Sequence, residues 1–160
     1  MNYQAVEELP KTMQAVVCRA PEDYRIEEWE VPRPGKEEVV IRVESVGICA
    51  SDLKCYQGAP LFWGDEHREG YCQAPVIPGH EFVGFVVALG EGAGEKYGFD
   101  LGELVVSEQI VPCWKCRFCK RGQYWMCQDK HDVYGFRRAT FGAMAEYMKF
   151  PLGAINYKVP

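Results

Sequence analysis

The run EVVIRVESV, Glu38 to Val46, decides the fold class. Val39, Ile41 and Val43 fall on one face of an extended strand, with Val40, Arg42 and Glu44 on the other. Valines on both faces predict two-sided burial. Working outward, MQAVVC from Met13 and YRIEEW from Tyr24 read as strands, with Pro32, Pro34 and Gly35 marking the bend that follows. Downstream, EFVGFVVAL from Glu81, ELVVSE from Glu103 and MAEYMKF from Met144 repeat the pattern. The clearest helical segment is Ser51 to Tyr56, with Ser51 or Asp52 as its cap. Short strands punctuated by Gly and Pro predict a mainly β fold, a barrel or a sandwich, with a few short helices. Residues 1–12 read as a loose arm before a single domain over 13–160. Residues 57–78, rich in Gly, Pro, aromatic and charged side chains, read as a long functional loop.

The chain has 160 residues, 48% of them hydrophobic, enough to bury one core. Eighteen basic against twenty-three acidic side chains leave a net charge of -5, so there is no broad positive field and nucleic acid is not an expected partner. No run approaches the roughly eighteen apolar residues of a membrane helix, and the acidic start lacks the regions of a secretory signal. A soluble cytoplasmic protein without membrane contact is expected.

Eight cysteines in such a chain point to ligands rather than disulfides. Four fall together in CWKCRFCKRGQYWMC: Cys113, Cys116, Cys119 and Cys127. Cysteines two residues apart let a tight turn aim their sulfurs at one point, and the loop before Cys127 is long enough to fold back over an ion. Lys115, Arg117, Lys120 and Arg121 would offset the charge of a four-thiolate zinc centre. Four protein ligands leave no open position, so the lobe, about residues 112–131, reads as a structural zinc site. An iron–sulfur cluster, a redox pair and a zinc-ribbon module are the alternatives. Cys18, Cys55 and Cys72 are scattered and read as packing residues.

A second constellation joins Cys49, in GICASDLKCYQG, with His80 and Glu81, in PGHEFVGFVVALG. One thiol, one imidazole and one carboxylate make an incomplete coordination sphere, which is what a metal needs to polarise a substrate oxygen. Taken alone, a cysteine and a histidine so far apart are more often core packing.

The motifs GHEFVG and CASD, followed by the four-cysteine lobe, give the chain from about Met13 onward a clear likeness. It resembles the GroES-like catalytic domain of zinc-containing medium-chain alcohol dehydrogenases. Gly79, Gly84 and Gly90 stand at that family's spacing. The segments ICASDLKCY, FWGDE, VIPGHEFVG, FCKRGQYWMCQ and YGF resemble the polyol-dehydrogenase branch, erythritol and threitol dehydrogenases in particular. The resemblance implies Cys49 and His80 as catalytic-zinc ligands and Glu81 as a ligand or one that exchanges with water. It implies Cys113, Cys116, Cys119 and Cys127 as structural-zinc ligands. Ser51 falls where the family keeps a hydroxyl that accepts the substrate proton, a role its donor and acceptor capacity permits. Asp52 reads as an anchor for a metal ligand or a neighbouring cation. Lys54 stands where many relatives place a relay histidine. His67 and His131 read as loop histidines.

A dehydrogenase of this family also needs NAD or NADP, held by a Rossmann domain. The nearest glycine-rich run, GEGAGE from Gly90, fails the dinucleotide pattern and reads as a turn, so no Rossmann domain is expected in this chain. The remaining zinc ligand and the cofactor domain would lie beyond Pro160, leaving the 160 residues inactive alone and a sheet edge unpaired, with homo-oligomers expected. The substrate implied is a small alcohol or polyol, placed near Tyr56, Phe62 and Trp63. The alternative reading is a zinc-stabilised binding or structural module with no catalysis of its own.

Overall fold

The alternating valines of residues 39–46 form the strand on which the structure is built. The computed structural model describes residues 8–129 and 132–160. The elements in chain order are β1 (Thr12–Ala20), β2 (Asp23–Glu30), β3 (Val39–Gly47), α1 (Ala50–Tyr56), α2 (Pro60–Trp63), β4 (Gly64–Asp65), β5 (Arg68–Glu69), β6 (Glu81–Leu89), α3 (Ala93–Tyr97), β7 (Leu104–Ser107), β8 (Ile110–Val111), β9 (Asp132–Val133), β10 (Tyr147–Phe150) and β11 (Asn156–Lys158). Two single 3-10 turns, Cys119–Arg121 and Tyr124–Met126, lie between β8 and β9.

Five strands form one antiparallel sheet in the order β10-β3-β6-β7-β11. β1 and β2 form an antiparallel hairpin. The segment around β10 joins hairpin to sheet by bonding on both sides. The Val16 N–H donates to the Met144 carbonyl at 2.8 Å and the Glu146 N–H to the Gln14 carbonyl at 3.2 Å, while the Val43 N–H donates to the Glu146 carbonyl at 2.9 Å. The fold is therefore mainly β with short helices, as the strand pattern predicts.

Burial of β3 on both faces is confined to its first residues. Val39, Val40 and Ile41 are fully buried, and the strand opens toward solvent from Arg42 onward. Val39 and Ile41 pack with Phe82, Val86, Val105, Tyr134, Met148 and Phe150 in the main core. Each such aliphatic side chain contributes about 1.5–3 kcal/mol through area removed from water. A second cluster of Met13, Ala15, Val31 and Ile77 fills the space under the hairpin, with Trp29 edge-on to Phe141.

The pairing of β3 with β6 runs from Val39↔Leu89 to Gly47↔Glu81 and absorbs two register shifts, between Val40 and Ile41 and between Val43 and Ser45. Two glycines make the approach possible. At Gly84 a Cβ would sit 2.4 Å from the Arg42 carbonyl oxygen, and Gly79 has φ +95, a conformation that L side chains rarely adopt.

Local structure departs from the sequence reading in three places. Residues 57–78 are not one loop, because they contain α2 and the small hairpin β4–β5. The GEGAGE run does turn, but its second half opens α3, with Gly92 in the left-handed conformation at the N-cap and Ala93 buried. Of the arm expected over 1–12, residues 1–7 lie outside the described residues. Leu9 packs on the hairpin cluster, and Arg33 donates to the Leu9 and Pro10 carbonyls at 3.1 and 2.8 Å.

One ion pair ties the bend before β3 to β10. Lys149 Nζ donates to Glu38 Oε2 at 2.7 Å, and the same oxygen accepts the Gly35 N–H at 2.8 Å. Burial pushes the Glu38 carboxyl up, but the lysine and the amide outweigh it and hold the group below its ordinary range. A depressed carboxylate contributes stability that is present above its unfolded pKa of about 4.3 and is lost as pH falls through the folded value. Glu38→Gln should cost about 1–2 kcal/mol at neutral pH and converge on the parent as acid protonates the folded carboxylate, as read by urea unfolding across the acid range.

Candidate metal centres

β3 and β6 deliver the first group of site residues to one end of the sheet. Gly47, the last residue of β3, is the register partner of Glu81, the first of β6. Cys49 therefore follows the exit of one strand while His80 precedes the entry of its neighbour. The Cys49 thiol, a His80 ring nitrogen and a Glu81 carboxylate oxygen all lie within 4.8 Å of one another. His80 is buried, Cys49 half-buried and Glu81 exposed, so the cluster opens to solvent on the carboxylate side. These are the three residues singled out from the sequence, and the fold brings them together.

Cys49 is also the N-cap of α1, a position expected for Ser51 or Asp52. The side chain of Asp52 takes part in this cap: its Oδ2 accepts the Cys49 N–H at 3.0 Å. Its other oxygen faces His80 Nδ1 at 3.4 Å, and both atoms are buried without a hydrogen-bond partner. A buried carboxylate opposite Nδ1 favours the tautomer that carries its proton there, which leaves the Nε2 lone pair free. Ser51 Oγ stands 3.0 Å from Nε2 and donates to it. Asp52 thus orients both a strand-end amide and an imidazole.

A cleft of about 290 Å³ opens beside Ser51 and is lined by Leu61, Phe62, Tyr71 and Phe136. Phe136 lies 5.0 Å from Phe62 and 5.1 Å from His80, centroid to centroid. Of the three aromatic residues expected near substrate, only Phe62 lines the cleft. Trp63 turns its indole N–H to the Cys55 carbonyl at 2.6 Å, and Tyr56 packs edge-on against Tyr24. A larger cavity of about 340 Å³ lies under Trp29 and Phe141, but it contains none of the candidate ligands, so the chemistry belongs with the smaller one. Lys54 and His67 are exposed, and His131 lies outside the described residues.

The second group is the lobe. Sulfurs of Cys113, Cys116, Cys119 and Cys127 all lie within 4.8 Å of one another, with Cys113 to Cys119 at 3.9 Å and Cys116 to Cys119 at 3.5 Å. Backbone N–H groups aim at the sulfurs, Cys116 N to Cys113 Sγ at 3.3 Å and Cys113 N to Cys127 Sγ at 3.4 Å. Such amides hold the Cys116 thiol down to about 6, whereas burial pushes Cys119 up to about 12. Among the described residues, the lobe's hydrophobic cluster consists of these cysteines and Tyr124, with no aliphatic side chain in it. A segment without an apolar core needs another source of cohesion, and four converging thiols fit a metal ion. Lys115, Arg117, Lys120 and Arg121 surround it from the exposed side.

Residues 35–160 match the model of the alcohol dehydrogenase GroES-like domain. The chain belongs to this family. Among its relatives, the erythritol/L-threitol dehydrogenase of Mycolicibacterium smegmatis is 60% identical over 152 residues, covering 95% of this chain and 42% of that protein. An L-threonine 3-dehydrogenase of Pyrococcus furiosus is 35% identical over 144 residues, covering 89% and 38%. Among solved structures, the alcohol dehydrogenase TADH from Thermus sp. ATN1 superposes with a TM-score of 0.74 at 31% identity, covering 92% of this chain and 40% of that one. The chain therefore spans about two-fifths of the length of these dehydrogenases. No helix among the described residues is long and apolar enough to cross a membrane.

In this GroES-like domain Leu61 and Tyr71 belong to the 57–78 segment read as functional and expected at the substrate cleft, whereas Phe136 carries no sequence signal and only the fold of residues 133–136 brings it beside Ser51. Asp52 gives the geometry its clearest test. Asp52→Asn keeps the shape but removes the charge opposite Nδ1; if Cys49 and His80 hold a metal ion, the change should weaken its binding by about 10–100-fold in a chelator competition.

Proposed function

We propose that this chain is the N-terminal catalytic part of a zinc-dependent, NAD(P)-linked alcohol or polyol dehydrogenase. The observation that carries the proposal is the convergence of Cys49, His80 and Glu81 beside a cleft reached by the Ser51 hydroxyl. The donor set of thiol, imidazole and carboxylate suits zinc, with Cys49 and His80 as ligands and Glu81 as a ligand or one that exchanges with water. Cys113, Cys116, Cys119 and Cys127 would hold the second, structural zinc. When bound, the catalytic zinc supplies Lewis acidity that makes a substrate hydroxyl easier to deprotonate, and the nicotinamide takes up the hydride.

The chain's own residues supply the remainder. Ser51, whose hydroxyl bonds His80 Nε2 here and would release that lone pair to a metal ion, would then take the hydroxyl proton and pass it outward. Lys54, where many relatives place a relay histidine, is exposed. Asp52 keeps the imidazole in the tautomer that ligation needs. Phe62, Tyr71 and Phe136 give the cleft apolar walls that exclude water and pack on the carbon skeleton of a sugar alcohol. Erythritol or threitol is the favoured substrate class on the 60% identity to an enzyme of that name. Among the described residues no strand pair is parallel, so the nicotinamide domain is assigned to chain outside these 160 residues.

The test is a screen of tetritols and pentitols with NAD and NADP against the complete gene product. Turnover should be found with a tetritol and fall by at least about 100-fold in Ser51→Ala, a loss in the range of general-base removal. Metal analysis should find two zinc ions per chain, of which Cys49→Ala removes one and keeps the lobe's. A complete protein that binds only the lobe's zinc and oxidises no alcohol would instead mark a zinc-stabilised binding module.

A further inference from the structure

Cys18, Cys55 and Cys72 read from the sequence as three unrelated packing residues, but the fold gathers them. Cys18 lies near the end of β1, Cys55 in the last turn of α1, and Cys72 in the segment after β5. Their three sulfurs all lie within 4.8 Å of one another, and Cys18 and Cys55 are buried to 0% and 1% exposure. None is in a disulfide. Three hydrophobic side chains packing at random have no reason to present their sulfurs to a common point. A metal bonded to three sulfurs at about 2.3 Å would hold them about 4 Å apart.

A second observation marks the same point. The Tyr24 hydroxyl is buried at the same point, next to Cys18 and Cys55. Of the arginines on β1 and β2, Arg25 is paired with Asp23 at 2.6 Å and Arg19 with Glu27 at 2.6 Å, while Arg137 and Arg138 donate to the Tyr71 and Gln73 carbonyls on either side of Cys72. A site of three sulfurs suits a soft ion of low coordination number better than zinc, which prefers four ligands.

We propose that Cys18, Cys55 and Cys72 form a third metal site, for a soft thiophilic ion such as Cu(I), distinct from the two centres above. The ion would fasten β1, the C-terminal end of α1 and the segment carrying Cys72 to one another. Cys49 caps the other end of that helix, so occupancy here braces the helix that carries Ser51 and Asp52.

The experiment loads the full, zinc-replete, reduced chain with Cu(I) under anaerobic conditions in competition with a chromophoric chelator, and counts ions by mass spectrometry of the metal content. One Cu(I) per chain should bind with zinc retained at both other centres, accompanied by thiolate-to-copper charge-transfer absorption. Cys72→Ser, at the half-buried and least packed position, should weaken that binding by at least about 100-fold while leaving the zinc count unchanged. Cys18→Ser should do the same wherever it folds, judged by circular dichroism. Equal copper binding by the parent and Cys72→Ser, or copper entering only as zinc leaves, would overturn the proposal. So would a reduced parent that takes up no copper and forms a disulfide among these cysteines in air.

Discussion

The candidate catalytic centre depends on one register. β3 and β6 are paired so that Gly47 faces Glu81, and this alone sets Cys49 beside His80 across thirty-one positions of sequence. A slip of one residue would turn every side chain of one strand to the opposite face and separate the thiol from the imidazole. The register is held by the apolar first half of β3, where Val39, Val40 and Ile41 are all buried, and by close backbone passage at Gly84. Core packing at one end of the strand pair therefore fixes ligand geometry at the other.

At that end the structure accepts a local cost. His80 and Asp52 bury polar atoms that face each other without completing a hydrogen bond. Unpaired buried polar atoms are costly, and they persist where the arrangement is needed for something other than stability. Here the carboxylate does two jobs, because its second oxygen holds the Cys49 amide and so ties the thiol to the same short helix.

Much of this was legible from residues alone where a pattern is local. The alternation in residues 39–46 foretold β3, EFVGFVVAL coincides with β6 from end to end, and the close spacing of the lobe's cysteines foretold their convergence. What was not legible depends on distant segments meeting. α2 and the β4–β5 hairpin are too short for any periodicity to show, and Gly and Pro there mark real turns as readily as open loop. The Cys49 cap escaped notice because thiols are poor capping groups; the acceptor is supplied by Asp52 reaching back. Tyr71 and Phe136 carry no motif, and the meeting of Cys18, Cys55 and Cys72 follows from three separate elements packing at one point.

The lobe differs from the sheet in what water would meet on opening it. The sheet buries hydrocarbon, whereas the lobe's hydrophobic cluster is sulfur and a single phenol ring. Hydration of newly exposed apolar area is what raises the heat capacity of an unfolded chain. Detachment of the lobe would thus barely lift the calorimetric baseline, while melting of the sheet would lift it strongly. The two parts of one short chain obey different temperature laws.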